Sequence, residues 1–163
     1  MIKIDEVIFC WDFIVSMIIA VSCGILLPKY LNIEFLNSMY SIAVTLLSIL
    51  FSLFFAALTL IMISNADDFI LFLEEDNIYS GIIATFKITL IITFISLLIS
   101  IIMYAQTMFL IKENYINQNK IFFIIFVFSL FYSLFAIINS VIDSIKYSEK
   151  RIQYIKIKNT NKK

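Results

Sequence analysis

The sequence has no histidine, two cysteines, one proline and two glycines among its 163 residues. Because histidine is missing and Cys10 and Cys23 do not form a CxxC pair, the chain has no set of ligands for zinc and no redox motif. It also lacks a Gly-rich phosphate-binding loop and a nucleophile elbow. These absences argue against an enzyme and predict neither a metal centre nor a cofactor.

Long hydrophobic runs dominate the sequence, which is 62% hydrophobic and holds 17 phenylalanines. Soluble domains are about 45–50% apolar, and a helix of roughly 20 apolar residues crosses the hydrocarbon core of a bilayer. Four runs are long enough, at residues 7–27, 40–63, 88–111 and 121–142. The sequence therefore predicts an all-α integral membrane protein, a single four-helix transmembrane domain over residues 1–163. Residues 1–27 are expected to be mature structure rather than a signal peptide, because no small-x-small cleavage site precedes a polar region.

Basic residues are distributed unevenly along the chain. Residues 146–163 contain seven of the twelve lysines and arginines, against one acid. With four spans, nine basic residues lie on the side of both termini, and Lys29, Lys112 and Lys120 lie on the other. The positive-inside rule then places both termini in the cytoplasm, in a bacterial inner membrane.

The fourth hydrophobic segment has no evident stop, because neither glycine nor proline occurs in residues 144–158. The fourth helix is therefore expected to extend into the cytoplasm, as a basic helix and tail over residues 144–163. An apolar stripe on this helix suits either packing on a sister chain or lying along anionic headgroups. The stripe consists of Ile138, Ile142, Ile145 and Ile152.

Small and hydroxyl residues recur every three or four positions in the hydrophobic segments, which places them on one face of each helix. Two interpretations stay open: close packing between helices, or the lining of a pore. Four helices that close on themselves leave no aqueous channel, so conduction requires a homo-oligomer, with a tetramer favoured. The pore-lining candidates are Thr45, Ser48, Ser52, Thr59, Thr93, Ser96 and Ser100.

Charged residues at the ends of the hydrophobic segments are candidates for gating. Asp12, Lys87 and Asp143 are all expected near one membrane depth, on the cytoplasmic side. Charge inside a membrane is costly and usually faces a partner or water. We expect an Asp12–Lys87 pair; the alternatives are interfacial exposure of Asp12 and extension of Lys87 toward the headgroups.

The cytoplasmic segment 64–81 is acidic, although it also contains an apolar run. Anionic lipid repels an acidic face, so a protein partner is expected to hold it. The basic tail lies on the same side, and pairing of the two is one interpretation; a solvated loop is the other. The acidic residues are Asp67, Asp68, Glu74, Glu75 and Asp76.

The four hydrophobic segments, the acidic "DDFILFLEED" and the basic "KRIQYIKIKNTNKK" together resemble the compact multi-span effectors of bacterial anti-phage signalling, such as the membrane component of Hailong systems. The resemblance covers the whole chain at the level of architecture. It implies an oligomeric ion channel, closed at rest, that a signal made by a partner nucleotidyltransferase opens, so that the infected cell is depolarised.

A nucleotide or short oligonucleotide signal is a polyanion, whereas binding to genomic nucleic acid is not expected. Basic side chains of the tail are candidates to receive its phosphates, and such binding would depend steeply on salt. The positive-inside rule alone is the alternative explanation for these charges. The ligand-binding candidates are Lys146, Lys150, Arg151, Lys156 and Lys158.

Three other functions remain open from the sequence. A small proton-coupled transporter would use the single acid Asp12 of the first helix, although such carriers favour Gly-rich or broken helices and this chain has two glycines. A non-conducting membrane scaffold and a holin-like pore would both share the same hydrophobic plan.

Overall fold

The computed structural model describes residues 11–63, 70 and 78–160, and of residues 78 and 157–160 it describes the backbone alone. Within these residues the fold is all-α apart from two short strands. The elements in chain order are α1 (Trp11–Leu26), β1 (Tyr30–Asn32), α2 (Ile33–Ile63), α3 (Ile78–Lys112), β2 (Asn117–Asn119) and α4 (Lys120–Thr160).

Three of these helices, α2, α3 and α4, are long and apolar enough to cross a membrane, and α1 is a shorter apolar helix of 16 residues. Residues 7–10 of the first predicted span lie outside the described residues, so the count of four spans stays a prediction. Both α2 and α3 begin earlier than the apolar runs at 40 and 88. The additional turns contain polar residues, which a helix tolerates although they lie outside the apolar runs. In agreement with the sequence, α4 is continuous through residues 144–158.

The helices pack in the order α1, α4, α3, α2, so that α4 lies between α1 and α3. The acidic segment between α2 and α3, with Asp67, Asp68, Glu74, Glu75 and Asp76, lies outside the described residues. Its predicted pairing with the tail therefore stays a prediction.

The two strands close one end of the bundle, called the strand end below. They are antiparallel, with Leu31 opposite Gln118. Each strand ends in an asparagine whose side chain caps the helix that follows: Asn32 Oδ1 accepts from Glu34 N at 2.7 Å, and Asn119 Oδ1 accepts from Ile121 N at 3.1 Å. The strands thus fix where α2 and α4 begin.

The end of α3 is a Schellman turn. Asn114 adopts a left-handed backbone with φ of 60°, and its N–H and that of Tyr115 donate to the carbonyls of Ile111 and Leu110. Asparagine tolerates this conformation better than most residues, so the turn has a local cause in the sequence. Beneath it, an aromatic and aliphatic core joins α2 to α4, with the Tyr40 ring edge-on to Phe126 at 4.6 Å between centroids.

The end of α1 is capped by a lysine from α4. Lys120 Nζ donates to the carbonyl oxygens of Gly24, at 2.6 Å, and Leu27, at 3.2 Å. Helix carbonyls at a C-terminus lack partners and carry partial negative charge, which a cation complements. At Gly24 a Cβ atom would lie 3.2 Å from the side chain of Ile124, so this glycine allows α1 to approach α4 closely.

Replacing Lys120 by methionine should destabilise α1 at the strand end. The aliphatic stem is kept, but the last carbonyls of α1 lose a charged donor, at a cost of about 1.5–3 kcal/mol. The free energy of unfolding in mixed detergent micelles measures this. The same substitution of Lys112, which is exposed in the last turn of α3, is the control, and equal losses from the two variants would contradict the capping role.

Candidate functional site

Hydroxyl side chains join α3 to α4 over several turns. Thr89 Oγ1 lies 2.6 Å from Ser140 Oγ, Ser96 Oγ lies 3.2 Å from Ser129 Oγ, and Ser133 Oγ donates to Thr93 Oγ1 at 3.4 Å. We call this set the hydroxyl ladder. Its small residues let the two helix backbones approach, and its hydroxyls bond across the contact.

Three pore-lining candidates are buried on the same side of α3, and two of them, Thr93 and Ser96, bond across this contact. Thr93, Ser96 and Ser100 are each at most 2% exposed, and Thr93 and Ser100 also donate to the carbonyls one turn earlier. Packing between helices therefore explains this stripe. A path along it would require α3 and α4 to separate.

The other four pore-lining candidates lie on α2 and are arranged differently. Thr45, Ser52 and Thr59 are exposed, Ser48 is half-buried, and each hydroxyl donates to the carbonyl four residues before it. We call this surface the hydroxyl face of α2. It lies opposite the side that α2 buries against the bundle, which is formed by Leu36, Tyr40, Ala43, Leu47, Phe54 and Leu58.

Asp12 is half-buried at the start of α1 and bonds to α4 rather than to Lys87. Asn139 Nδ2 donates to Asp12 Oδ2 at 2.5 Å. Lys87 is exposed and lines an apolar groove between α2 and α3 with Phe51, Phe55 and Phe94. The expected Asp12–Lys87 pair is therefore wrong, because Lys87 projects from a face of α3 turned away from α1.

Asp12 lines a cavity of about 300 Å³, which we call the cavity around Asp12. Most of its lining comes from α4, and α3 adds Thr85 and Thr89 among others. Asp143, the third gating candidate, lines the same cavity and forms an ion pair with Lys146 at 2.9 Å. The structure thus brings Asp12 and Asp143 together, as their common predicted depth implies.

The remaining tail candidates lie beyond the cavity on the extension of α4. Lys150 is half-buried, Arg151 and Lys156 are exposed, and the side chain of Lys158 is outside the described residues. The apolar stripe of the same helix, Ile138, Ile142, Ile145 and Ile152, is exposed along its length. Its partner, a sister chain or lipid, stays a prediction.

The sequence analysis did not single out Asn139 and Tyr132, which line the cavity with Asp12. Asn139 carried a usable signal: it is the one amide in the predicted span 121–142 and lies one turn before Asp143, where a polar group needs a partner. No signal in the sequence pointed to Tyr132, which is one of eight tyrosines.

The comparisons offer no relative from which a role for these residues might be taken. No protein-family model, no curated protein and no solved structure matches this chain.

Proposed function

We propose that this chain forms a homo-oligomeric ion channel or membrane-depolarising effector, with a tetramer favoured, in which the hydroxyl face of α2 lines the path. The observation that carries the proposal is the outward position of Thr45, Ser52 and Thr59. Four copies arranged around a common axis would bring these hydroxyls together, where they replace water around a passing ion. Within the described part of one chain the hydroxyl ladder leaves no such path, because its members pack against each other and all of them except the half-buried Ser129 are buried.

The proposed topology has four transmembrane helices, with α1 as the first and both termini in the cytoplasm. The strand end then faces outward with Lys29, Lys112 and Lys120. The ammonium group of Lys120 donates to a carbonyl at the C-terminal end of α1, and the partial negative charge of that helix end offsets part of the positive charge on this side. The cavity around Asp12 and the extension of α4 consequently lie on the cytoplasmic side.

In this proposal the basic extension of α4 receives a nucleotide-type signal, and the function belongs to anti-phage defence. Arg151 and Lys156 are exposed on the same continuous helix that carries Ser133 and Ser140 of the ladder. A phosphate ligand bound there would act on the bundle through a rigid element rather than through a flexible linker. Steep salt dependence of ligand binding is expected.

The test is the membrane potential of cells expressing the full chain, read with a voltage-sensitive dye, with and without the genes beside its own. Depolarisation that requires the neighbouring genes supports a gated effector. Depolarisation by the chain alone identifies a holin-like pore. No change in either case, with the protein verified in the membrane, would rule out conduction and leave a scaffold or a transporter.

A small proton-coupled transporter is the second candidate, and the cavity that Asp12 lines is the observation that favours it. A carboxylate that is reached from one side of the membrane is a common element of coupled carriers. Transport would leave the membrane potential intact in the dye assay but would move a cationic substrate across sealed vesicles.

A further inference from the structure

The cavity around Asp12 changes character along its length. Its α4 lining runs from Lys146 and Asp143, through Asn139 and Ala136, to Tyr132. These residues are spaced by three or four positions and span residues 132–146 of the helix, a length of about 21 Å. The cavity is therefore charged where α4 leaves the bundle and mainly apolar at its inner end.

The lining carries a net negative charge. Asp143 and Lys146 neutralise each other, because their side chains form an ion pair. In the part of the chain that the structure describes, the Asp12 carboxylate accepts from the Asn139 amide and from its own backbone N–H, whereas a carboxylate offers about four acceptor sites. Among the described residues no lysine or arginine forms a salt bridge with Asp12. The charges of the lining, −1, −1 and +1, sum to −1.

Beyond Asp12 the cavity is bounded by side chains that suit an apolar group. Ile88 and Ile92 of α3 line it, as does Tyr132, whose ring is held edge-on to Phe13 at 5.9 Å between centroids. A bare metal ion needs oxygen ligands on several sides, which this inner part does not supply. The volume of about 300 Å³ lies at the lower end of the range for small-molecule sites.

We propose that this cavity binds a small amphipathic organic cation, with its ammonium group against the Asp12 carboxylate and its apolar part beside Ile92 and Tyr132. The charged group would replace water at Asp12, and the tail would fill the inner end of the cavity. The site is separate from the hydroxyl face of α2, so its occupation does not depend on conduction.

Titration of the purified full chain with n-alkylammonium ions, from ethyl to hexyl, tests the proposal. The matching n-alkanols are the uncharged probes. Binding is followed by isothermal titration calorimetry, because the one tryptophan of the chain, Trp11, is 76% exposed and is not among the residues that line the cavity. Saturable changes are expected with the ammonium series and not with the alkanols, and affinity should rise with chain length until the cavity is full.

Asp12→Asn should lower ammonium affinity about 10- to 100-fold, as expected for loss of a charge-assisted hydrogen bond. Glu34 is an acid at the strand end, so Glu34→Gln is the matched control and should leave the affinity unchanged.

Ile92→Phe should shorten the preferred alkyl chain, and Ile92→Ala should lengthen it. These two variants keep Asp12 intact, so they test the proposal even if Asp12→Asn fails to fold. The proposal would be overturned if Asp12→Asn bound the ammonium ions as tightly as the parent does. It would also be overturned if both Ile92 variants preferred the same alkyl chain length as the parent. If the chain binds the ammonium ions but shows no conductance, the cation-site proposal is supported and the channel proposal is contradicted.

Discussion

Removing three hydroxyls from the hydroxyl face of α2, in the variant Thr45→Val, Ser52→Ala and Thr59→Val, should reduce conductance about tenfold or more. The substitutions keep the volume of each side chain nearly constant, so the path keeps its width. Each lost hydroxyl removes a hydrogen-bonding partner for water or an ion, worth about 0.5–1.5 kcal/mol. Three such losses in each copy raise the barrier and favour dewetting of the path.

The measurement is single-channel conductance of the reconstituted protein in planar bilayers. Ser22→Ala is the matched control, because Ser22 is also exposed and also donates to the carbonyl four residues earlier, but on α1. The control should conduct as the parent does. Unchanged conductance of the triple variant, with the oligomer intact, would exclude the hydroxyl face of α2 as the lining.

Replacing Ser133 by leucine should destabilise the bundle by about 1–3 kcal/mol or more, because the site has no room for a larger side chain. Ser133 is 0% exposed, and its hydroxyl faces Thr93 across the contact between α3 and α4. Ser133→Ala keeps the close approach and loses one interhelical hydrogen bond, for which about 0.6 kcal/mol is typical in membranes. The size of the side chain, rather than its polarity, should therefore dominate the loss.

Unfolding in mixed micelles, followed by the helical signal, gives the two free-energy differences. Ser22→Leu, on the exposed side of α1, controls for the apolar gain of the substitution itself. A Ser133→Leu variant as stable as this control would show that α3 and α4 are not in tight contact at the ladder.

The long apolar helices were accessible from the sequence because their signal is composition over about 20 residues. The all-α class followed from these runs. The uninterrupted α4 followed from the lack of glycine and proline between residues 144 and 158. The strands were missed because three-residue segments such as Tyr30–Asn32 carry no periodicity, and their pairing joins parts of the chain far apart in sequence.

The candidate site was predicted only in part, for a geometric reason. Spacing assigns a residue to a face of its own helix but does not say what that face meets. The stripes of α2 and α3 look alike in sequence, yet Ser52 is exposed and Ser100 is 0% exposed. In the same way, common depth placed Asp12 near Lys87, while rotation of α3 turned Lys87 toward α2 and left Asn139 as the partner.

Two neighbouring residues of α4 tie it to different helices. Asn139 bonds to Asp12 of α1 at 2.5 Å, and Ser140 bonds to Thr89 of α3 at 2.6 Å. Successive helical residues project about 100° apart, so these two bonds act on α4 from different directions at one level. Rotation of α4 about its own axis would therefore strain both hydrogen bonds at once. Polar contacts of α4 with α1 and with α3 thus meet at two adjacent residues, Asn139 and Ser140.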